Sequence, residues 1–330
     1  MEFDLIERVH SHCAHRRGDV ALGIGDDAAL LDVPAGQQLV ACTDTLVAGV
    51  HFPDRTAPED IGWKSLAVNL SDLAAMGAQS AWALLALTLP DADAAFVERF
   101  AKGFADLAQA HGVALVGGDT TQGPLSVTVT ALGWVPRNLA LTRTGARAGD
   151  AVFVTGTLGD AAGALRLFLP PQAGTAAIHG KELHGAEGGG GLLRTRLNRP
   201  EPRITAGLAL RGIASACIDV SDGLLADLGH VCAASKVAAE INADALPISS
   251  ALAASFDAKT CRELALSGGD DYELCFTAPS ARETEVVEKL ARTGCGATRI
   301  GRVVAGSGVR ALDANANEIE IGHVGWEHFS

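Results

Sequence analysis

The chain has 330 residues, of which 48% are hydrophobic, and a formal net charge of -13 at pH 7. This length is more than one hydrophobic core usually supports, so two domains are predicted. With a pI near 5.2, the average field repels nucleic acid and anionic membranes, which disfavours both as partners. The longest strongly apolar stretch, around residues 82–89, is less than half a bilayer span, and the N-terminus has no charged-then-apolar signal region. A soluble, cytoplasmic protein is therefore expected.

Strands and helices alternate in the first half of the chain. Hydrophobic periodicity predicts strands at 38–47, 80–89, 113–116 and 125–135, and helices at 58–76 and 93–110. Elements of these lengths in this order predict a two-layer α/β or α+β domain.

The pattern restarts after residue 150, which separates a predicted domain at 1–150 from a second α/β domain at 151–330. The second half is predicted to contain strands at 151–155, 217–220, 238–241 and 298–304, and helices at 158–169, 204–214, 224–234 and 281–292. Between residues 170 and 203 the composition shifts to Pro, Gly and His, which predicts a mobile loop. Such a loop could be a plain connection or a lid over a substrate.

Seven cysteines are scattered along the chain and are never spaced C-x-x-C. Their odd number and spacing argue against a disulfide framework and against a structural zinc site. Most of them are expected to be small buried hydrophobes.

Six short segments place aspartates beside glycine or a small hydroxyl residue. They are Gly23-Ile-Gly-Asp-Asp-Ala28, Thr43-Asp-Thr45, Asn69-Leu-Ser-Asp72, Gly117-Gly-Asp-Thr-Thr121, Ile218-Asp-Val-Ser-Asp-Gly223 and Gly268-Gly-Asp-Asp-Tyr272. If the fold gathers these carboxylates, they repel one another unless a cation lies between them. A divalent cation that carries phosphate is the simplest candidate.

The first of these segments nearly matches the dinucleotide fingerprint G-x-G-x-x-A, with Asp44 at about the distance of a ribose-binding acid. The fingerprint requires a helix directly after it. Residues 30–36 are too short and too broken by Pro and Gly to form one. The segment is therefore interpreted as a turn that suits a cation.

The helix predicted at 58–76 is apolar on nearly every side, so it should be largely buried. Its polar residues Ser65, Asn69 and Asp72 fall on one face. A buried carboxylate needs a partner charge, which makes Asp72 a candidate metal ligand.

Two of the segments combine acids with possible phosphate contacts. In residues 117–121, paired glycines after a short strand let backbone amides approach a phosphate while Asp119 holds a cation, although G-G-D also makes ordinary turns. Strand alternation places Asp219 and Ser221 on one side, with Asp222 at the first turn of the next helix. N-capping by Ser221 or Asp222 is the alternative interpretation.

No Walker A sequence and no protein-kinase H-R-D or D-F-G segment occurs. An ATP-using enzyme of this sequence would hold phosphates mainly through magnesium and glycine backbone.

In this order, the segments resemble those of the thiamine-monophosphate kinases. The most specific are GIGDDA at 23–28, TDTLVAGVHF at 43–52, AVNLSDLAAMGA at 67–78 and SGGDDYELCF at 267–276. The resemblance covers essentially the whole chain. It implies the aminoimidazole ribonucleotide synthetase-like fold, with two α/β domains and an N-terminal domain whose strands pair across a homodimer. It also implies that ATP and thiamine monophosphate react to give ADP and thiamine diphosphate.

The resemblance also implies roles for individual residues. Several magnesium ions would be bound by Asp27, Cys42, Thr43, Asp44, Asp72, Asp119, Asp219 and Asp222; ATP would contact Gly118, Asp119, Arg143 and Ser221; thiamine monophosphate would contact His51, Asp270 and Trp326. Two positions depart from the family pattern. Cys42 stands where Ser or Thr is expected, and because a thiol is a poor magnesium ligand only its carbonyl could serve. Asp270 stands where the family has Glu, one methylene longer.

These residue types suit direct phosphoryl transfer. A substrate phosphate has its second pKa at about 6, so it is already ionised at neutral pH and needs no protein base. His51 is therefore interpreted as a substrate contact, and magnesium would offset the repulsion between the two anions.

Three alternatives stay open. Another ATP-using member of the same superfamily is the nearest, and a metal-dependent phosphohydrolase would also use clustered carboxylates. A cation-binding module without activity is weaker, because the acids are dispersed from Asp26 to Asp271 and form no EF-hand loop.

Overall fold

The computed structural model describes residues 7–9, 11–13, 17–168 and 190–326. They form two compact units that divide between Ala140 and Leu141. Both units combine sheets with helices, which confirms the predicted two-domain α/β class. The predicted domain boundary at residue 150 and the pairing of strands across a homodimer stay predictions.

The first unit has a four-stranded sheet in the order β3-β6-β4-β5 and a separate two-stranded sheet, β1-β2. The strands are β1 (Val20–Leu22), β2 (Leu30–Leu31), β3 (Gln37–Val47), β4 (Gln79–Leu89), β5 (Ala114–Gln122) and β6 (Ser126–Pro136), and the helices are α1 (Pro58–Ala75) and α2 (Ala94–Ala110). Strands β4 and β5 are parallel, whereas β6 pairs antiparallel with β3 and β4.

Helix α1 is buried along most of its length, as predicted, and it packs closely on α2. A Cβ atom on Gly62 would lie 2.1 Å from the carbonyl oxygen of Phe100, and one on Gly103 would lie 1.9 Å from that of Glu59. Only glycine fits at both points, so the two helices approach at backbone contact. Helix α2 begins at a proper N-cap, because Asp93 accepts the N–H groups of residues 95 and 96.

The second unit has a six-stranded sheet in the order β12-β9-β11-β7-β10-β8. Its strands are β7 (Asp150–Thr155), β8 (Ala216–Asp219), β9 (Ala238–Asn242), β10 (Leu274–Pro279), β11 (Ala297–Val304) and β12 (Gly308–Leu312). Its helices are α3 (Asp160–Phe168), α4 (Gly190–Asn198), α5 (Ile204–Leu210), α6 (Leu224–Ser235), α7 (Ser250–Ser255), α8 (Ala258–Ser267) and α9 (Glu283–Ala291). No helix in the described part of the chain is long and apolar enough to cross a membrane.

The structure corrects the sequence analysis at β5. The strand was expected to end near residue 116, with residues 117–121 following it, but these residues continue the strand and pair with Leu84–Thr88 of β4. A Cβ atom on Gly118 would lie 1.9 Å from the carbonyl oxygen of Leu85. The glycine therefore permits a close parallel pairing, which local sequence does not reveal.

A second correction concerns the segment 170–203, which was predicted to be a loop. Residues 170–189 lie outside the described part of the chain, but 190–198 form helix α4. Leu193 and Leu197 are buried on one face of this helix, in a cluster that includes Ala161 and Ala164 of α3. Tertiary packing thus stabilises a helix whose sequence begins with two unfavourable glycines.

Other predicted boundaries shift because of backbone geometry. Helix α5 ends at Leu210 and not at Ala214, since Arg211 leaves the helical region and Gly212 has a φ of 69°. Strands β1, β2, β10 and β12 and helices α7 and α8 were not predicted.

Candidate functional site

The acidic turn at residues 219–223 connects β8 to α6 and is held by a carboxylate from the helix. Asp227 Oδ2 accepts the backbone N–H groups of Ser221 at 3.0 Å, Asp222 at 3.1 Å and Gly223 at 3.1 Å. One oxygen therefore binds three consecutive amides at the start of α6, where unpaired donors and the helix dipole favour an anion.

Three carboxylates lie close together at this turn. The pKa of Asp227 is raised to about 7, chiefly by burial and also by the charges of Asp219 and Asp222, although the backbone hydrogen bonds from Gly223 and Asp222 act in the opposite direction. Asp219 and Asp227 are both buried. The turn therefore places two further carboxylates beside Asp227 at the N-terminus of α6.

The segment 268–273 packs against this turn through backbone hydrogen bonds. The N–H of Asp270 donates to the carbonyl oxygen of Ser221 at 2.8 Å, and the N–H of Tyr272 donates to that of Val220 at 2.8 Å. A Cβ atom on Gly269 would lie 2.4 Å from the Ser221 oxygen, so glycine is required there. The sequence analysis had identified both segments separately, and in the structure backbone hydrogen bonds join them into one surface.

Trp326 reaches the same turn from the C-terminal end of the described chain. Its backbone N–H donates to the carbonyl oxygen of Asp222 at 3.0 Å, while the residue is 55% exposed. Within the second unit, the structure thus brings together five of the predicted site residues, namely Asp219, Ser221, Asp222, Asp270 and Trp326.

Two details of the turn differ from expectation. Strand β8 ends at Asp219, so Ser221 lies in the turn and not on the strand face with Asp219. Neither Ser221 nor Asp222 caps α6: its N-cap is Gly223, which has no capping side chain, and Asp227 takes the orphan amides instead. Sequence reasoning missed Asp227, although an acid in the first helical turn is a known start signal.

Arg143 lies apart from the other predicted ATP contact of this unit. Its carbonyl oxygen accepts the hydroxyl of Ser235, the last residue of α6, at 3.0 Å. Helix α6 has 12 residues, so its two ends are about 18 Å apart. The backbone of Arg143 is thus at the opposite end of α6 from Ser221.

In the first unit, Cys42, Asp44 and Asp72 lie together between β3 and α1. The thiol of Cys42 contacts the carbonyl oxygen of Asn69 at 3.3 Å. Burial raises the pKa of this thiol above its usual range, with further increases from the charges of Asp72 and Asp44. Asp44 and Asp72, two of the predicted metal ligands, therefore both lie near the Cys42 side chain.

Asp27, Gly118 and Asp119 form a second group in this unit. They line a cavity of about 480 Å³ together with apolar side chains such as Leu84 and Leu115. Residues 23–57, all of which the structure describes, contain no helix. Residues 23–28 therefore lack the helix that a dinucleotide-binding fingerprint requires, as expected.

Thr43 and His51 lie elsewhere in the first unit. Thr43 is exposed, and its hydroxyl donates to the carbonyl oxygen of Val129 at 3.1 Å, on the sheet face opposite Asp44. The N–H of Val47 donates to His51 Nδ1 at 3.0 Å. A neutral His51 therefore carries its proton on Nε2.

Among residues 7–9, 11–13, 17–168 and 190–326, no group of three or more His, Cys, Asp or Glu side chains is placed to hold a metal ion together.

The seven cysteines are all free thiols, and six of them are buried, which confirms the expectation that most would be small buried hydrophobes.

A buried ion network that the sequence analysis missed centres on the last residue of the 268–273 segment. Glu273 is 1% exposed and accepts hydrogen bonds from Arg203 Nε at 2.7 Å, Arg203 Nη2 at 2.6 Å, Arg196 Nη2 at 2.8 Å and the Thr155 hydroxyl at 2.7 Å. It ties β10 to α4 and β7. The available signal was an acid directly before a strongly apolar strand, because an acid buried with that strand needs a partner.

Comparison with known proteins defines the class first. The model of the AIR synthase related protein N-terminal domain matches residues 25–135, and that of the corresponding C-terminal domain matches residues 147–313. The fold and both matches define a two-domain protein of the AIR synthase related class.

Three relatives narrow this class. The thiamine-monophosphate kinase of Escherichia coli (strain K12) is 44% identical over 330 residues, which is 100% of this chain and 98% of the relative. The crystal structure of thiamine-monophosphate kinase from Stenotrophomonas maltophilia K279a has 53% identity and a TM-score of 0.84, covering 94% of this chain and 96% of that one. AaThiL complexed with AMPPCP and TMP has 35% identity and a TM-score of 0.77, covering 99% and 97%. This chain belongs to the thiamine-monophosphate kinase family.

Proposed function

We propose that the chain transfers the terminal phosphoryl group of ATP to the phosphate of thiamine monophosphate, giving thiamine diphosphate and ADP. The observation that carries this proposal is the 44% identity to a thiamine-monophosphate kinase over the full length of the chain. A related structure that holds AMPPCP and TMP in one protein supports the choice of the two substrates.

Magnesium belongs to the proposal as the partner of the carboxylates. The amide oxygen of Asn69 is buried and has no hydrogen-bond partner, one helical turn before Asp72. Asp44 and Asp72 both lie beside the Cys42 thiol, which also contacts the backbone carbonyl of Asn69, so several oxygen atoms of the kind that magnesium prefers occur on these two elements. Magnesium is commonly held by one or two carboxylates, with phosphates and water completing the coordination, so small groups of acids suffice. When bound, it would supply positive charge between the two anionic substrates.

The chain then has to bind two phosphates and orient them for transfer, and it does not have to supply a general base. Because the acceptor phosphate is ionised near neutral pH, its oxygen attacks without a protein base. His51 suits this chemistry, since Nδ1 is engaged by the Val47 amide and Nε2 carries a proton. We assign His51 as a hydrogen-bond donor to thiamine monophosphate and not as a general base.

The remaining assignments are parts of the same proposal. Metal binding is assigned to the carboxylates of both units and to Thr43 and the carbonyl of Cys42; ATP contacts are assigned to Gly118, Asp119, Arg143 and Ser221, and thiamine monophosphate contacts to His51, Asp270 and Trp326. A homodimer and a cytoplasmic location complete it.

Phosphorus NMR tests the proposal directly. Purified protein is incubated with ATP, magnesium and thiamine monophosphate, beside a control that lacks thiamine monophosphate. Thiamine diphosphate and ADP should appear together, and only in the complete mixture. Release of inorganic phosphate in both samples would instead favour a phosphohydrolase or another ATP-using relative.

A further inference from the structure

The carboxylate of Asp270 is held by the hydroxyl of Tyr272, two residues along the chain. The Tyr272 hydroxyl donates to Asp270 Oδ1 at 3.0 Å. Tyr272 is only 8% exposed, whereas Asp270 is half-buried. The hydroxyl is thus presented from a buried ring to a carboxylate at the surface of the site.

The backbone that creates this contact is unusual. Asp270 has a φ of 67° and Tyr272 a φ of 51°, both in the left-handed region that residues with side chains seldom adopt. The bonds from the N–H groups of both residues to the 220–221 turn hold this conformation. Since Asp271 lies between them, the two left-handed residues turn the Tyr272 ring back toward the Asp270 side chain.

We propose that Tyr272 is a positioning residue that orients the Asp270 carboxylate for thiamine monophosphate. This inference rests on the proposed function, in which Asp270 contacts that substrate. An ionised carboxylate has about four acceptor sites, so the bond from the hydroxyl leaves it able to accept from a substrate amine. The hydroxyl fixes one oxygen and thereby restricts rotation of the carboxylate group.

The shorter side chain at position 270 gives this restraint its importance. An aspartate side chain has one torsion fewer than a glutamate, so its carboxylate has less freedom to move toward a substrate. The orientation of the Asp270 carboxylate therefore decides whether it forms a hydrogen bond with the substrate amine. A hydrogen bond to a charged group contributes more than one between neutral groups. Loss of the hydroxyl should therefore weaken the binding of thiamine monophosphate and leave the binding of ATP unchanged.

Steady-state kinetics of Tyr272→Phe test the proposal, because this change removes one hydroxyl and keeps the buried ring. The KM for thiamine monophosphate should rise about tenfold, with the KM for ATP and kcat nearly unchanged. Thr157→Val is the matched control: its hydroxyl donates to the Asp160 carboxylate at 2.8 Å in the same unit, and neither residue is a proposed substrate contact. The control should leave both KM values unchanged.

A double-mutant cycle separates this inference from the assignment of Asp270. Asp270→Gly removes the carboxylate and suits the left-handed backbone. In that background Tyr272→Phe should have no further effect on the KM for thiamine monophosphate. A large effect of Asp270→Gly with none of Tyr272→Phe alone would overturn the positioning role and leave the proposed function intact. No effect of Asp270→Gly would overturn both the substrate contact and the positioning role.

A spectroscopic readout is available because Tyr272 is the single tyrosine of the chain. Protein labelled with 3-fluorotyrosine should give one fluorine NMR resonance from the folded state. Thiamine monophosphate should shift this resonance in the wild-type protein and not in Asp270→Gly. An unchanged resonance at saturating substrate in the wild-type protein would refute the proposal.

Discussion

Replacing Glu273 with glutamine should destabilise the second unit strongly. Glu273 is the shared acceptor of Arg196 and Arg203, whose side chains are 20% and 13% exposed. Burial opposes the charge on Arg203, yet the hydrogen bond and charge of Glu273 raise its pKa above the usual arginine value. The substitution keeps the shape of the side chain and removes the negative charge that both guanidinium groups share.

The magnitude follows from the burial of the three groups. Removing one partner of a buried ion pair costs about 3–5 kcal/mol, because an uncompensated charge stays behind. The lower end applies here, since glutamine retains one acceptor oxygen and the arginines are partly solvated. For a unit that runs from residue 141 to residue 330, about 3 kcal/mol lowers the melting temperature by about 6–12 °C.

Scanning calorimetry of the two proteins measures this change, and Glu201→Gln supplies a matched control. Glu201 pairs with the same Arg203 at 3.0 Å, but its side chain is 67% exposed. An exposed pair contributes at most about 1 kcal/mol, so the control should melt close to the wild-type protein. Equal melting temperatures for Glu273→Gln and the wild type, or equal losses in both variants, would refute the reasoning.

Three further predictions concern activity and thiol chemistry. Asp44→Asn and Asp72→Asn should each lower kcat about a hundredfold or more while circular dichroism stays unchanged; near-normal turnover would contradict their assignment as metal ligands. Trp326→Ala should raise the KM for thiamine monophosphate well above any change in that for ATP, because an aromatic face suits the cationic thiazolium ring; steady-state kinetics with each substrate varied decide this, and equal changes would count against it. The native protein should react slowly with a thiol reagent at pH 8, because burial raises the pKa of all seven cysteines; rapid labelling before guanidinium is added would be inconsistent with this.

Much of the fold could be predicted from the sequence, because amphipathic periodicity is a local property. Helix α1 was expected at 58–76 and lies at Pro58–Ala75, and β4 was expected at 80–89 and lies at Gln79–Leu89. The errors fall where long-range contacts decide. Helix α4 depends on its packing against α3 and on the bond of Arg196 to Glu273, and neither partner is near it in sequence.

The candidate site was predictable to a similar degree. Aspartates beside glycines identified the 219–223 turn and Asp270, because the ability of a side chain to bind cations depends on its residue type, which can be read from the sequence. The residues that support these groups were missed. Asp227 and Tyr272 act through backbone amides and a neighbouring carboxylate, and an ordinary acid and an ordinary aromatic give no sign of such contacts.

The sequence by itself determined the class of this protein, its alternation of strands and helices, and the acidic residues that suit it to phosphate chemistry. These follow from side-chain chemistry and from periodicities that span a few residues. The tertiary structure alone decided which segments meet, since hydrogen bonds such as that from Asp270 to Ser221 join residues about fifty positions apart. It also decided the orientation of each group, because left-handed backbone at Asp270 and Tyr272 persists only where surrounding contacts compensate its cost.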